Sequence, residues 1–138
     1  MFMNKKAMPW YVRMVDRVEH LAKGPLFDCS DCGQCILRST ALTCPMRCPK
    51  QMRNGPCGGS MDGKCEVFPD RPCIWNLIWE RSQRLGWRRK LEWTKPAVDW
   101  RLWGTPSWWN LLTGRIDING NVRPPKGEQA AAGDGSAA

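Results

Sequence analysis

The sequence predicts a small metal-stapled domain of mostly irregular loops, with a few α-helices and little or no sheet. Three observations lead there. All eight cysteines lie between Cys29 and Cys73. That window holds few large aliphatic residues, namely Ile36, Leu37, Leu42 and Val67, beside Phe68 and three methionines. It is also punctuated by turn-forming steps such as "NGPCGG" and "DGKC", where glycine and proline bend the backbone. A segment so poor in apolar mass needs covalent or metal staples to stay folded.

Residues 1–24 read as an N-terminal helical arm. Its helix covers residues 9–23: Pro9 suits a first helical position, and Gly24-Pro25 reads as a stop. Tyr11, Met14, Val15, Val18, Leu21 and Ala22 recur at helical spacing and form one apolar stripe. Arg13, Asp16, Arg17 and Lys23 take the opposite face. Such a stripe packs on its own domain or docks a partner chain, and the pattern allows either. His20, the only histidine, reads as a polar surface residue rather than a ligand.

Residues 25–75 form the cysteine-rich metal-binding domain, with short helical turns expected between Cys35 and Thr40. Residues 76–118 form a helix and a tryptophan-rich arm. The helix starts after Cys73, in "CIWNLIWERSQRLGWRRKLEW", with Ile74, Leu77, Ile78, Arg81 and Leu85 on one face. Trp75 and Trp79 stand one turn apart, and Gly86 weakens the helix near its end. Residues 119–138 lack an apolar pattern and read as a disordered tail.

Compartment and charge narrow the chemistry. Arg13, Asp16, Arg17 and Glu19 interrupt any leader-like apolar run, and no stretch approaches the roughly 18 apolar residues of a spanning helix. The chain therefore reads as cytoplasmic with no membrane partner, where dense cysteines bind metal rather than pair as disulfides. The formal charge of +8 suggests a nucleic-acid surface at first. Eight thiolates holding two zinc ions or two [4Fe–4S] cores would carry −2 per site and lower it to about +4.

The cysteines run C-x2-C-x2-C at Cys29, Cys32 and Cys35, followed singly by Cys44, Cys48, Cys57, Cys65 and Cys73. Zinc modules favour pairs of C-x2–4-C knuckles. A C-x2-C-x2-C triple with a remote proline-followed cysteine is what a cubane [4Fe–4S] cluster asks for, and both Cys44 and Cys48 precede proline. Eight cysteines supply two such clusters with none left over. The same eight also suffice for two zinc ions, or for one cluster and one zinc, so spacing favours iron–sulfur while zinc stays open. We expect Cys29, Cys32 and Cys35 to group with Cys48, leaving Cys44, Cys57, Cys65 and Cys73 for the second site.

The pieces "CGQC", "TCPMRCPK", "NGPCGG", "GKCE" and "CIW", with "SWWNLLTGR" later, resemble the methylenetetrahydrofolate reductase C-terminal family over roughly residues 25–116. That family occurs as a small subunit or fused region beside a flavin-containing reductase barrel. The resemblance implies an accessory subunit of one-carbon metabolism whose two [4Fe–4S] clusters pass electrons to or from a flavin-containing methylenetetrahydrofolate reductase catalytic subunit. It carries all eight cysteines over as ligands. A flavin-binding barrel takes about 250 residues, and these 138 residues show no phosphate loop, dinucleotide fingerprint or catalytic constellation. The expectation is a subunit of an oxidoreductase, not catalytic alone.

Six of the nine tryptophans lie between Trp87 and Trp109. Tryptophan anchors interfaces through its large area and single N–H, which makes Trp100, Trp103, Trp108 and Trp109 the candidate partner surface. Two rivals to electron transfer remain. A zinc-stapled scaffold of the same reductase differs only in the metal. A basic zinc module reading nucleic acid through "RSQRLGWRRK" is the weakest, since no finger spacing with histidine ligands exists.

Overall fold

The structure, a computed structural model, describes residues 8–123. Helix α1 covers Trp10–Phe27, α2 Ile74–Arg84, α3 Arg88–Leu91 and α4 Ser107–Leu112. Single 3-10 turns lie at Leu37–Ser39, Pro45–Arg47 and Trp100–Leu102. Among the described residues the only sheet-like pairings are isolated bridges, such as Met61 with Lys64 and Ile116 with Val122. The expected loop-dominated helical domain with little sheet is what the chain forms.

Helix α1 passes through Gly24-Pro25 instead of stopping there. Proline disfavours helical backbone at the preceding residue through a clash with its Cβ, and Gly24 has none. The helix ends four residues later, where Asp28 turns left-handed at φ 53° and donates its N–H to the Gly24 carbonyl at 2.8 Å.

The apolar stripe of α1 faces outward. Met14, Val18 and Leu21 are exposed, as is Trp10, while the buried residues are Val12, Glu19 and Lys23. The reason lies on α4, against which α1 packs. Glu19 accepts the backbone N–H groups of Ser107 at 3.1 Å and Trp108 at 2.9 Å. A residue 88 positions away thus satisfies the orphan donors that open α4. Lys23 closes the arrangement with bonds to Glu19 at 2.9 Å and Ser107 Oγ at 2.8 Å.

Helix α2 buries Ile74, Trp75, Ile78 and Ser82, so its inner face is rotated from the expected one and Arg81 and Leu85 stay outside. The Trp75 indole sets this rotation by donating to the Met52 carbonyl at 2.8 Å. Gly86, at φ 66°, breaks the run into α2 and α3. The arm from 95 onward then folds back over the cysteine loop. Residues 119–123 belong to this arm rather than to a tail: Gly120 is buried, and Asp117 Oδ1 caps a turn through the N–H groups of Asn119 and Asn121, both at 2.8 Å. The rest of the expected tail, 124–138, lies outside the described residues.

Candidate metal centres

None of the eight cysteines is paired in a disulfide. They fall into two groups of four, each around its own cavity. Cys29, Cys32, Cys35 and Cys44 line the first. Cys48, Cys57, Cys65 and Cys73 line the second, which Cys29 also borders. The cavities divide the cysteines differently from the expected pairing in one exchange: Cys44, not Cys48, lines the cavity of the triple.

Local chain geometry explains the exchange. After Cys35 the chain makes a 3-10 turn and then a sharp reversal, with Ala41 and Leu42 both left-handed at φ 49° and 58°. Thr40 pins this reversal from inside, its hydroxyl spanning the Ile36 carbonyl at 3.2 Å and the Thr43 carbonyl at 2.7 Å. Cys44 therefore returns beside Cys32, and with Met46 the two form a small buried cluster. The turn at Pro45–Arg47 follows at once and carries Cys48 to the other side.

The first set lies under the arm, with Cys32 and Cys44 buried and Cys29 and Cys35 half-buried. Gln34, between two of its cysteines, is fully buried and binds the arm in three places: it donates to Ala97 O at 3.4 Å and Gly120 O at 3.3 Å, and accepts from Asp99 N–H at 2.6 Å. Asn110 donates to Gly33 O at 3.0 Å, and Trp103 packs on the Cys32–Cys44 cluster. Gly33 has φ 72°, and a Cβ there would strike the Leu102 carbonyl and stand 2.7 Å from Thr105 Oγ1. Only glycine lets the loop lie this close to the arm.

Burial pushes the Cys29 thiol up to about 11, opposed by the Asp31 backbone N–H that bonds its sulfur. Burial likewise raises the Cys44 thiol, opposed by the N–H groups of Met46 and Ser30, with Cys32 and Cys35 close enough to add their charge. Backbone N–H groups aimed at sulfur are the usual support of thiolate ligands.

The second set lies nearer the surface: Cys57 is exposed, Cys48 and Cys65 are half-buried, and Cys73 is buried. Its loop is held by Cys73 N–H to Gly63 O at 2.8 Å and Cys65 N–H to Arg71 O at 2.9 Å. Lys50 forms an ion pair with Glu66 at 2.5 Å on its rim, and the Glu66 bond holds the Lys50 ammonium above its ordinary value. The cavity measures about 360 Å³, against about 20 Å³ for the first.

The donor chemistry fits a thiolate-held metal centre at each set, with four sulfurs lining the first cavity, five lining the second when the shared Cys29 is counted, and N–H support at the first. The side chains as placed bring no three ligand-type residues, among those described, into reach of a single ion. A cubane core would fit the first set, whose cavity is about 20 Å³, only with its thiols turned aside.

Of the predicted interface tryptophans, Trp100 and Trp108 are exposed, while Trp103 and Trp109 are half-buried. Trp100 and Trp103 stack with ring centres 5.2 Å apart, and Trp109 meets Tyr11 at 5.5 Å. His20 is exposed and faces Asp31, on the loop of the first set, at 3.4 Å. Sequence reasoning missed Glu19, Lys23, Gln34 and Arg53 as the framework of the first set. Only Gln34, enclosed within "CGQC", carried a local signal.

Among the described residues no helix is long and apolar enough to cross a membrane. A family model described as "Methylene-tetrahydrofolate reductase C terminal" matches residues 9–101. No curated protein and no solved structure matches the chain.

Proposed function

Because the chain belongs to the methylene-tetrahydrofolate reductase C-terminal family, we propose that it is the iron–sulfur accessory part of such a reductase, relaying electrons to or from a flavin-containing catalytic partner. The observation that carries this reading is the gathering of all eight cysteines around two cavities, four at the first and four more at the second, with Cys29 bordering both. Each set would hold one [4Fe–4S] cluster, which supplies reversible one-electron transfer when bound.

The chain's own residues divide the work. Cys29, Cys32, Cys35 and Cys44 hold the inner centre, and the N–H groups of Ser30, Asp31 and Met46 share its negative charge. Gln34, Asn110 and Trp103 keep water from it. Cys48, Cys57, Cys65 and Cys73 hold the outer centre, open to solvent or to a docked protein through Cys57. Cys29 borders both cavities, so centres held there would share one wall, an arrangement suited to electron exchange between them. The exposed apolar residues Trp10, Met14, Val18 and Leu21 of α1 form the kind of patch that marks a protein partner. Trp100 and Trp108 add two aromatic anchors.

The test is iron and acid-labile sulfide content after anaerobic purification, with the visible spectrum alongside. About eight irons and eight sulfides per chain, in a brown protein bleached by dithionite, are expected from two four-iron clusters. Two zinc ions and no sulfide in a colourless protein would make the cysteines structural staples and sink the relay.

A further inference from the structure

Arg53 lies beside the first cysteine set and is 6 % exposed. Its Nη1 points at the Cys32 sulfur at 3.8 Å, and its Nη2 donates to the Gln34 carbonyl at 2.6 Å. Its Nε is buried with no partner. No carboxylate among the described residues lies within ion-pair distance of it. A guanidinium does not shed its proton in a protein, and an uncompensated buried charge costs several kcal/mol. The missing counter-charge has one source in reach, the sulfurs it faces.

The other cations near the sulfurs are paired or exposed to solvent. Lys23, beside Cys35, is bonded to Glu19 at 2.9 Å. Lys50, at the second set, is half-exposed and bonded to Glu66 at 2.5 Å. Arg53 brings its charge to the first set from a buried position, whereas Arg47, Lys64 and Arg71 around the second set are exposed, where water screens them.

From this asymmetry we infer that Arg53 is the fixed counter-charge of the inner centre and raises its reduction potential above that of the outer one. The inference rests on the cluster-bearing reading above. One electron added to a cluster held by four thiolates adds one negative charge to the site. A cation fixed at short range in a dry environment favours that reduced state over the oxidised one. No proton need accompany the electron, because Arg53 holds its charge throughout. With that order of potentials, the inner centre would be the favoured resting place of an electron entering at the exposed set. Arg53 is a positioning and tuning residue rather than a ligand.

The experiment is a dithionite titration of the full chain, purified anaerobically and followed by electron paramagnetic resonance. Wild type should show two reduction steps. Arg53→Gln should lower the higher step, leave the lower one in place and narrow the gap between them. Arg53→Lys, which keeps the charge but loses the fork to Gln34, should fall between the two. Two clusters whose potentials are unmoved in both variants, or displaced equally at both steps, overturn the inference and leave the relay standing. A wild-type protein without iron and sulfide overturns both. Should Arg53→Gln fail to keep its inner cluster, Arg53→Lys carries the test: a step lower than wild type supports the inference, and an identical one overturns it.

Discussion

The two cysteine sets are built in opposite ways from the same ligand. The first is a local loop, Cys29 to Cys44, made rigid by residues far away: Glu19 and Lys23 before it, Arg53 after it, and Gln34 reaching to Gly120. The second spreads over Cys48 to Cys73 but is held mainly by its own turns, and its Cys57 is exposed. Spacing along the chain therefore does not predict burial. A compact motif needs an imported shell because it has no mass of its own, whereas a dispersed one shapes its own open bowl. The difference suits a pair in which one centre is reached from outside and the other is insulated.

The largest expected effect comes from removing the metal. Anaerobic treatment with a strong chelator should strip the outer set first and the inner set later, in two phases of iron release. The loss of near-ultraviolet circular dichroism should follow, since structural metal ligation supplies about 10 kcal/mol or more of folding free energy. Release in a single phase would erase the distinction between open and roofed sets. Next in size, pairs of substitutions report the grouping. Cys32→Ser with Cys44→Ser should lose one site's metal, while Cys32→Ser with Cys48→Ser should lose both. Equal losses in the two double variants would dissolve the division seen here.

Glu19→Ala leaves Lys23 buried without its partner and α4 without its cap. Breaking a buried pair costs about 3–5 kcal/mol. Thermal unfolding should shift down accordingly and the inner centre become chelator-sensitive, with the outer centre unchanged. The smallest effect belongs to Asp99, whose carboxyl is held below the usual range by its bonds to Arg101. A depressed carboxyl contributes stability in full above its unfolded value near 4, and that contribution fades as pH falls through the lower folded value. Arg101 is largely exposed, so Arg101→Ala should cost about 0.5 kcal/mol or less, with the difference from wild type vanishing in acid. A cost of 2 kcal/mol would mean that this rim residue supports the inner shell.

What the sequence disclosed was whatever depends on neighbours in the chain. The cysteine density, the turn residues, the helix after Cys73 and the 3-10 turn near Leu37 were all readable there. The helix-like period of α1 was readable too, but not which side of it faced inward. Burying Glu19 and Lys23 instead of Met14 and Val18 makes sense only once α4 presents unpaired N–H groups 88 positions later. The grouping of Cys44 was hidden for a related reason. Proline follows both Cys44 and Cys48, and the left-handed pair Ala41 and Leu42 that returns Cys44 to Cys32 carries neither glycine nor asparagine. Arg53 looked like one more basic residue because its burial depends on the arm closing over it.

The bond from Gln34 to Gly120 spans 86 positions, and the family match ends at Arg101, before the roof is complete. On a ribosome adding about 5–20 residues per second, residue 120 is joined roughly 4–17 s after residue 34. The inner cysteines are thus the first to be made and the last to be covered. A metal destined for them would have that interval in which to enter, and a nascent chain stalled short of Gly120 should accept or surrender metal at the inner site far faster than the finished protein.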